Sequence, residues 1–428
     1  MRFHTSERAH PEHSGADRPT PPALRRRLPD VTEVLALIGD RAPRRSAVAR
    51  RLERAQTVWD LREQAKRRTP RAPFDYADGA AEAEISLARA RKAYRDLEFV
   101  PHVLRDVTEA DTSVSLFGRT SSMPLGLAPT GFTRMMHTEG EYAGSAAAAD
   151  AGIPFCLSTM GTASIEDVAR HAPDGDNWFQ LYLWKDREAS EGLVRRAWEA
   201  GYRRLLVTVD TAVPGARLRD TRNGFSIPPQ LKASTVADIA LHPAWWLDFL
   251  TREPLSFASL SRTSGTVADL VGRMFDPSLS LEDLRWIKEM WPGTLIVKGV
   301  QSLDDAVRVC EAGADGLVLS SHGGRQLDRA PVPLELLPGV RRELGAEASI
   351  GIDTGVMDGA DVVAAVAAGA DYALVGRAYM YGLMAGGQAG VARMLEIMRE
   401  QMQRTMRLIG VNSIGELGPE HVVLGRES

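Results

Sequence analysis

Cysteine is almost missing from this chain: Cys156 and Cys310 are the only two among 428 residues. A disulfide framework and a cysteine-based zinc site are thereby excluded, no metal centre is expected, and a reducing cytosol is the natural compartment. Long apolar runs are missing too. The most apolar region, Val362 to Leu383, is interrupted by Asp371 and Arg377 and is rich in glycine, so it does not read as a membrane span. The start, Met1-Arg2-Phe3-His4-Thr5, lacks the apolar stretch of a signal peptide. Neither sign of charge is in excess: with 52 basic against 56 acidic residues and a net charge of -4, nothing invites a nucleic acid. No Gly-x-Gly-x-x-Gly opens the first helix of the repeating region and no Walker-type phosphate loop occurs, which disfavours a doubly wound open sheet.

What is present is a globular composition, 44% hydrophobic and 25% charged, able to bury a large core. Residues 1–56 are rich in Arg and Pro and read as a flexible arm, Met1 to Arg27, followed by short helices; 57–428 read as the main domain. Val58, Leu61 and Ala65 mark one helical face, and a further helix is expected through Glu82 to Tyr94. After Pro124 a beat repeats: a short apolar run, a loop, an amphipathic helix. The strand candidates are 125–128, 155–158, 179–183, 205–209, 295–298, 317–320, 350–353 and 373–375, with helices such as Arg187 to Ala200 and Leu303 to Ala312 between them. This alternation predicts an α/β fold, a (β/α)8 TIM barrel with an N-terminal helical extension, whose active site lies at the C-terminal ends of the strands.

The stretch Leu317 to Asp328, Leu-Val-Leu-Ser-Ser-His-Gly-Gly-Arg-Gln-Leu-Asp, concentrates the chemistry. A buried strand stops there at a tight Gly323-Gly324 turn, so His322, a titratable base, and Arg325, a permanent cation, reach one mouth, as a small carboxylate substrate requires. Taken alone, such a His reads more readily as structural, with the Arg on the surface of a connecting loop. The other strand ends change the balance: they offer Pro129-Thr130-Gly131, Ser158, Gln180 with Tyr182, Thr208 with Asp210, Lys298, Asp353 with Gly355, and Gly376-Arg377. A ring holding a base, a carboxylate, a lysine, a tyrosine and several amides and hydroxyls is what a catalytic mouth needs. Gly355 and Gly376-Arg377 also suit the phosphate site that barrels build after their seventh and eighth strands. One connection breaks the beat, the passage 211–281 after the fourth strand. A loop that long is usually functional, and its run Trp245-Trp246-Leu247-Asp248-Phe249-Leu250 reads as a lid packed on the barrel or as a membrane-surface contact.

Together these motifs resemble those of the FMN-dependent L-2-hydroxy acid oxidases and dehydrogenases. The resemblance runs from about Thr57 to Val423 and is carried by Phe74-Asp75-Tyr76, Leu127-Ala128-Pro129-Thr130-Gly131, Phe179-Gln180-Leu181-Tyr182, Thr208-Val209-Asp210, Leu295-Ile296-Val297-Lys298-Gly299 and the His322 stretch. Within that family Arg67 to Ala72, Asn223 to Pro229 and Arg325 to Pro333 look like the quinone-linked bacterial L-lactate dehydrogenases. The resemblance implies FMN as cofactor, oxidation of an L-2-hydroxy acid, with L-lactate to pyruvate foremost, electrons passed to a quinone, and a homotetramer. A quinone lives in the membrane, so peripheral contact with the inner face of the cell membrane is expected, through the 211–281 loop.

By position, the resemblance makes His322 the base, Asp210 the carboxylate that orients it, and Tyr182 a group near the substrate oxygen. Tyr76, Arg217 and Arg325 would hold the substrate carboxylate. Pro129, Thr130, Gly131, Ser158, Gln180 and Thr208 would hold the isoalloxazine ring, Lys298 its N1/O2 edge, and Asp353, Gly355, Gly376 and Arg377 the ribityl chain and phosphate. Two departures stand out. The family's Ser-Asn-His-Gly is Ser320-Ser321-His322-Gly323 here, and its Asp-Gly-Gly-x-Arg is Asp353-Thr354-Gly355-Val356-Met357, which puts Met357 where a basic side chain would help bind FMN. Rival readings are an oxidase passing electrons to oxygen, a non-redox FMN barrel such as an isomerase, and a barrel that only binds a phosphorylated ligand. The joint presence of His322, Asp210, Arg325 and Tyr76 argues against the last.

Overall fold

The computed structural model describes residues 46–223, 233–252, 258 and 275–425. Parallel strands close into a barrel of eight: β1 (Leu125–Leu127), β2 (Pro154–Ser158), β3 (Asp176–Tyr182), β4 (Arg204–Thr208), β5 (Thr294–Val300), β6 (Gly316–Leu319), β7 (Ser349–Ile352) and β8 (Tyr372–Val375), with β8 pairing back onto β1. Every expected strand is present, with small differences at the ends. Burial on both faces is why these strands read as short uncharged runs.

The pleat also explains how the strands deliver polar groups to one end. In β3, Trp178 belongs to the cluster inside the barrel, whereas Phe179 and Leu181 belong to the shell against the helices. The same period of two, carried one step further, puts Gln180 and then Tyr182 on the interior face at the mouth. The neighbouring strands repeat the pattern: Leu206 lies inside on β4 and Thr208 follows it, Ile296 on β5 precedes Lys298, and Val318 on β6 precedes Ser320. At the opposite end a hairpin pairing 114–116 with 119–121 closes the barrel. Its Phe117 ring stands edge-on to Trp178 and Tyr372, with ring centres 5.7 and 6.0 Å away.

Helices begin where the sequence supplies a cap. Ser302 Oγ accepts from Asp305 N at 3.1 Å at the start of Leu303–Glu311, and Asp358 and Asp361 cap Gly359–Ala367 reciprocally. Ahead of the barrel, α1 (Val58–Arg68) buries the expected face of Val58, Leu61 and Ala65, and α2 (Arg71–Asp78) and α3 (Ile85–Asp96) follow. The compact unit begins at Ala47 rather than at 57. Its first helix, Ala47–Glu53, expected to go with the arm, buries Leu52 beside Gly386 of the C-terminal helical segment Arg377–Ile409, and Arg51 Nη2 donates to Ala385 O at 2.6 Å. The rest of the expected arm, 1–45, lies outside the described residues, as do 224–229 of the Asn223 to Pro229 motif.

In its described part the 211–281 connection carries the helices Leu218–Arg222, Ala233–Ala240 and Pro243–Leu250. Of the two readings of the aromatic run, the structure favours the lid packed on the barrel over aromatics that face outward. Trp245 Nε1 donates to Met135 O at 3.0 Å and its ring stacks on Phe249 at 4.9 Å, so these aromatics turn to the protein. The outward side is aliphatic instead: Leu241, Leu247 and Leu250 are 79%, 50% and 72% exposed. Among the described residues no helix is long and apolar enough to cross a membrane.

Candidate active site

A cavity of about 940 Å³ opens at the C-terminal ends of the strands. The structure brings most of the expected residues to its wall: Pro129, Thr130, Gly131, Tyr182, Lys298, His322, Arg325, Asp353, Gly355, Gly376 and Arg377 from the barrel, Tyr76 from α2, and Arg217 from the long connection. Ser158, Gln180, Thr208 and Asp210 are not on that wall; they stand behind it. Gln180 is the pivot of this buried layer. Its Nε2 donates to Thr208 Oγ1 at 3.0 Å, and its Oε1 accepts from Ser158 Oγ at 3.1 Å and Thr159 N at 3.2 Å. With every polar atom of the amide engaged, the layer is a rigid floor under the mouth.

His322 Nδ1 lies 3.0 Å from Asp210 Oδ1. Asp210 can come this close because Gly299 has no side chain: a Cβ there would sit 2.7 Å from Asp210 Cγ, at a φ of +108°. The β5–β6 register slips at the same residue, between Lys298 and Val300. Burial would raise the Asp210 carboxyl, but His322 and Lys298 outweigh it and hold the group below the usual carboxylate range. Burial in turn pulls His322 below its ordinary 6.5 despite the Asp210 charge. The pair therefore rests as neutral imidazole and carboxylate. Because a carboxylate only accepts, Nδ1 carries the hydrogen and Nε2 keeps the free lone pair.

Cations gather opposite. Arg325 Nη1 donates to Tyr76 O and Gly79 O, at 2.5 and 3.0 Å, and its guanidinium carbon lies 4.8 Å from the Tyr76 ring centre. Gln326 fastens the chain that carries Arg217: its Oε1 accepts from Arg217 Nη2 and Gly215 N, both at 3.3 Å, and its Nε2 donates to Val213 O at 3.0 Å. Arg377 donates to Asp78 O and Gly79 O, at 3.2 and 2.7 Å. Burial and the neighbouring Arg217 pull Arg325 down to about 9, still a cation at neutral pH. Among the described residues none of Arg217, Arg325 and Arg377 has a carboxylate at ion-pair distance, and the buried Arg217 Nε has no hydrogen-bond partner. Such a cluster is completed by an anion. Lys298, by contrast, is already paired: Nζ lies 2.9 Å from Asp353 Oδ2 and donates to Ser320 Oγ at 2.9 Å. Burial opposes its charge, yet Asp353 and Asp210 keep it protonated above its usual range.

Sequence reasoning missed residues contributed from outside the barrel. Arg91 and Arg95 of α3 and Trp59 of α1 line the same cavity beside Gly355 and Met357. Met357 is buried, and Arg91 Nη1 donates to Gly355 O and Asp361 Oδ2. The spacing of Arg91 and Arg95, one helical turn apart, was the available signal. Asp78 gave none. It accepts from Arg62 Nε at 2.7 Å, Arg219 Nη1 at 2.9 Å and Tyr381 Oη at 2.7 Å, joining α1, α2, the long connection and the C-terminal segment at the rim. Burial would raise its carboxyl, but Arg62, Tyr381 and Arg219 hold it at about 2.

A family profile described as FMN-dependent dehydrogenase matches residues 65–424. The chain belongs to that family. A Mycobacterium tuberculosis protein provisionally named an L-lactate dehydrogenase is 58% identical to it over 400 residues, 94% of this chain and 97% of that one. The L-lactate dehydrogenase of Allorhizobium ampelinum is 39% identical over 373 residues, 86% of this chain and 98% of its own length. The crystal structure of the monotopic membrane protein (S)-mandelate dehydrogenase superposes with a TM-score of 0.84 at 40% identity, covering 87% of this chain and 100% of that one. FMN is therefore the cofactor, and the donor set fits it. Ala128, Met160 and Leu374 beside the Lys298 cation suit a flat ring that gains negative charge, and the glycines at 355 and 376 with Arg91 and Arg377 suit an anionic tail.

Proposed function

We propose that this FMN-dependent dehydrogenase oxidises an L-2-hydroxy acid, L-lactate to pyruvate, and passes the electrons to a quinone. The observation that carries the proposal is that one cavity holds both a base with a free Nε2, tied to Asp210, and an unpaired Arg325 stacked on Tyr76. The planar guanidinium matches a carboxylate, with Arg217 and Tyr76 as further contacts. Nε2 of His322 takes a proton from the bound substrate, and the Asp210 carboxylate offsets the charge the ring then gains. FMN in the cavity supplies the acceptor for the two electrons lost by the substrate. Burial, reinforced by Asp210, raises the Tyr182 hydroxyl above its ordinary 10, so it stays a neutral donor for the substrate oxygen. We assign the isoalloxazine ring to Pro129, Thr130 and Gly131 over the Ser158–Gln180–Thr208 floor, its N1/O2 edge to Lys298, and the ribityl phosphate to Asp353, Gly355, Gly376 and Arg377. L-lactate is chosen on the names of the 58% and 39% identical relatives. With a soluble dye as acceptor, kcat/KM should rank L-lactate above glycolate and (S)-mandelate; a clear preference for (S)-mandelate would overturn that choice.

Arg91 is our candidate for the cation that Met357 does not supply. Arg91→Ala should weaken FMN retention, read as the flavin-to-protein ratio after gel filtration and by flavin fluorescence on titration. Removing Arg91 also strands Asp361, whose carboxyl burial and Asp358 already push up to about 7. The double variant with Asp361→Asn removes that complication and should keep the defect; normal FMN affinity in the double variant would exclude Arg91 from the phosphate site.

A quinone acceptor requires a visit to the bilayer. Leu247 and Leu250 on one helix of the long connection, Val236 on the helix before it, at 51% exposure, and Leu241 in the turn between them are exposed aliphatic side chains. Burying such side chains contributes about 1.5 to 3 kcal/mol each, enough for reversible attachment and far from insertion. Replacing the three leucines with Ser should lower liposome co-sedimentation and activity with a lipid-soluble quinone while leaving activity with a soluble dye intact. Equal losses with both acceptors would refute the docking role. Reoxidation of the reduced flavin faster by air than by a quinone analogue would favour an oxidase.

A further inference from the structure

Ser321 and Thr354, two of the positions where the sequence departs from its family's motifs, stand at the ends of different strands, yet their hydroxyl oxygens are 3.4 Å apart. Thr354 has a φ of +68°, in the left-handed region that a β-branched residue rarely adopts. Glycine would sit there without strain. What threonine adds is a buried hydroxyl with all its capacity used. Oγ1 donates to Asp353 Oδ1 at 2.7 Å and accepts from Ser321 N at 3.2 Å and Gly323 N at 3.1 Å. Those two N–H groups flank His322, itself at a φ of +55°, whose own N–H donates to Ser320 Oγ at 3.0 Å. Ser320 Oγ accepts from Lys298 Nζ, and Lys298 pairs with Asp353, both at 2.9 Å. The contacts thus close a ring through Lys298, Asp353, Thr354, the His322 turn and Ser320.

Building on the reading of His322 as the base, we infer that Thr354 is a positioning residue for it: its hydroxyl clamps the strained 321–323 turn to the Lys298–Asp353 pair and so fixes how the imidazole meets Asp210 and the substrate. Strain of this kind persists where surrounding contacts enforce it, and it clusters at working sites. The hydroxyl does the holding, so the smaller serine serves as well as threonine and glycine does not.

The test compares Thr354→Ser with Thr354→Gly in the holoenzyme. Glycine relieves the backbone strain, so that variant folds and keeps its FMN. Its rate of anaerobic flavin reduction by L-lactate should nevertheless fall roughly 10- to 100-fold, in kcat more than in KM, the loss typical of a supporting contact. Thr354→Ser should restore the parental rate. A second readout needs no substrate: the pH titration of the His322 ring resonances. The groups facing that ring are Asp210, Lys298 and Arg217; with the turn loosened, the midpoint should rise toward 6.5 in Thr354→Gly and stay put in Thr354→Ser. A parental rate and midpoint in Thr354→Gly, or equal losses in both variants, would overturn the inference. A shifted midpoint in a protein that oxidises no 2-hydroxy acid would sink the proposed function and leave the positioning role standing.

Discussion

With His322 replaced by alanine, the purified protein should remain folded and yellow while flavin reduction by L-lactate slows by roughly 10²- to 10⁴-fold, the usual contribution of a well-placed acid–base group. Among the described residues the ring is hydrogen-bonded only to Asp210 and holds up none of the Gln180 floor, so the cofactor's surroundings survive its loss. The parental pH profile carries a sign. Burial lowers His322 below 6.5, and only the neutral ring can take a proton. Therefore kcat/KM should hold as pH falls to 6.5 and decline only below it, as the imidazolium fills. Near-parental reduction by the alanine variant would remove His322 from the chemistry, and an acid limb lying above pH 6.5 would contradict the buried neutral base.

The second large effect is expected at Arg325, where lysine is not a conservative replacement. Lysine keeps a positive charge but loses the planar fork and the stack on Tyr76, which lies 4.8 Å from the guanidinium. Losing one charge-assisted bond to the substrate carboxylate costs about 1.5 to 3 kcal/mol, roughly 10- to 150-fold in kcat/KM. The defect should also grow with pH. Burial and Arg217 already pull the arginine down to about 9, and a lysine, which starts from a lower intrinsic value, loses its charge earlier as pH rises. Unchanged kcat/KM in Arg325→Lys would mean that the carboxylate binds elsewhere.

The barrel was legible because its strands are buried on both faces, which leaves short uncharged runs between helices in the sequence. Treating every strand end as part of one mouth brought His322 and Asp210 to the same site, and their pairing was what the family resemblance implied. Depth along a strand was not legible: Ser158, Gln180 and Thr208 have the residue types of a wall but lie one layer below it, because pleat parity gives the face and not the height. Arg91 and Asp78 sit on helices whose path over the mouth is a tertiary matter. Thr354 looked like a lost glycine, and only the meeting of two distant turns reveals what its hydroxyl holds. The aromatic run left two readings open, a lid or a membrane contact, and helix geometry decides which side chains turn inward. Trp245 and Phe249 are one helical turn apart, so the helix that turns them inward presents Leu247 and Leu250 to the outside.

The most direct test is the flavin absorption spectrum of the purified holoprotein, titrated with L-lactate without air. The band should bleach as about one equivalent of pyruvate appears per flavin, as expected for a two-electron acceptor, and return on addition of a quinone analogue. A flavin that stays oxidised with L-lactate and with every other L-2-hydroxy acid offered would contradict the proposed function.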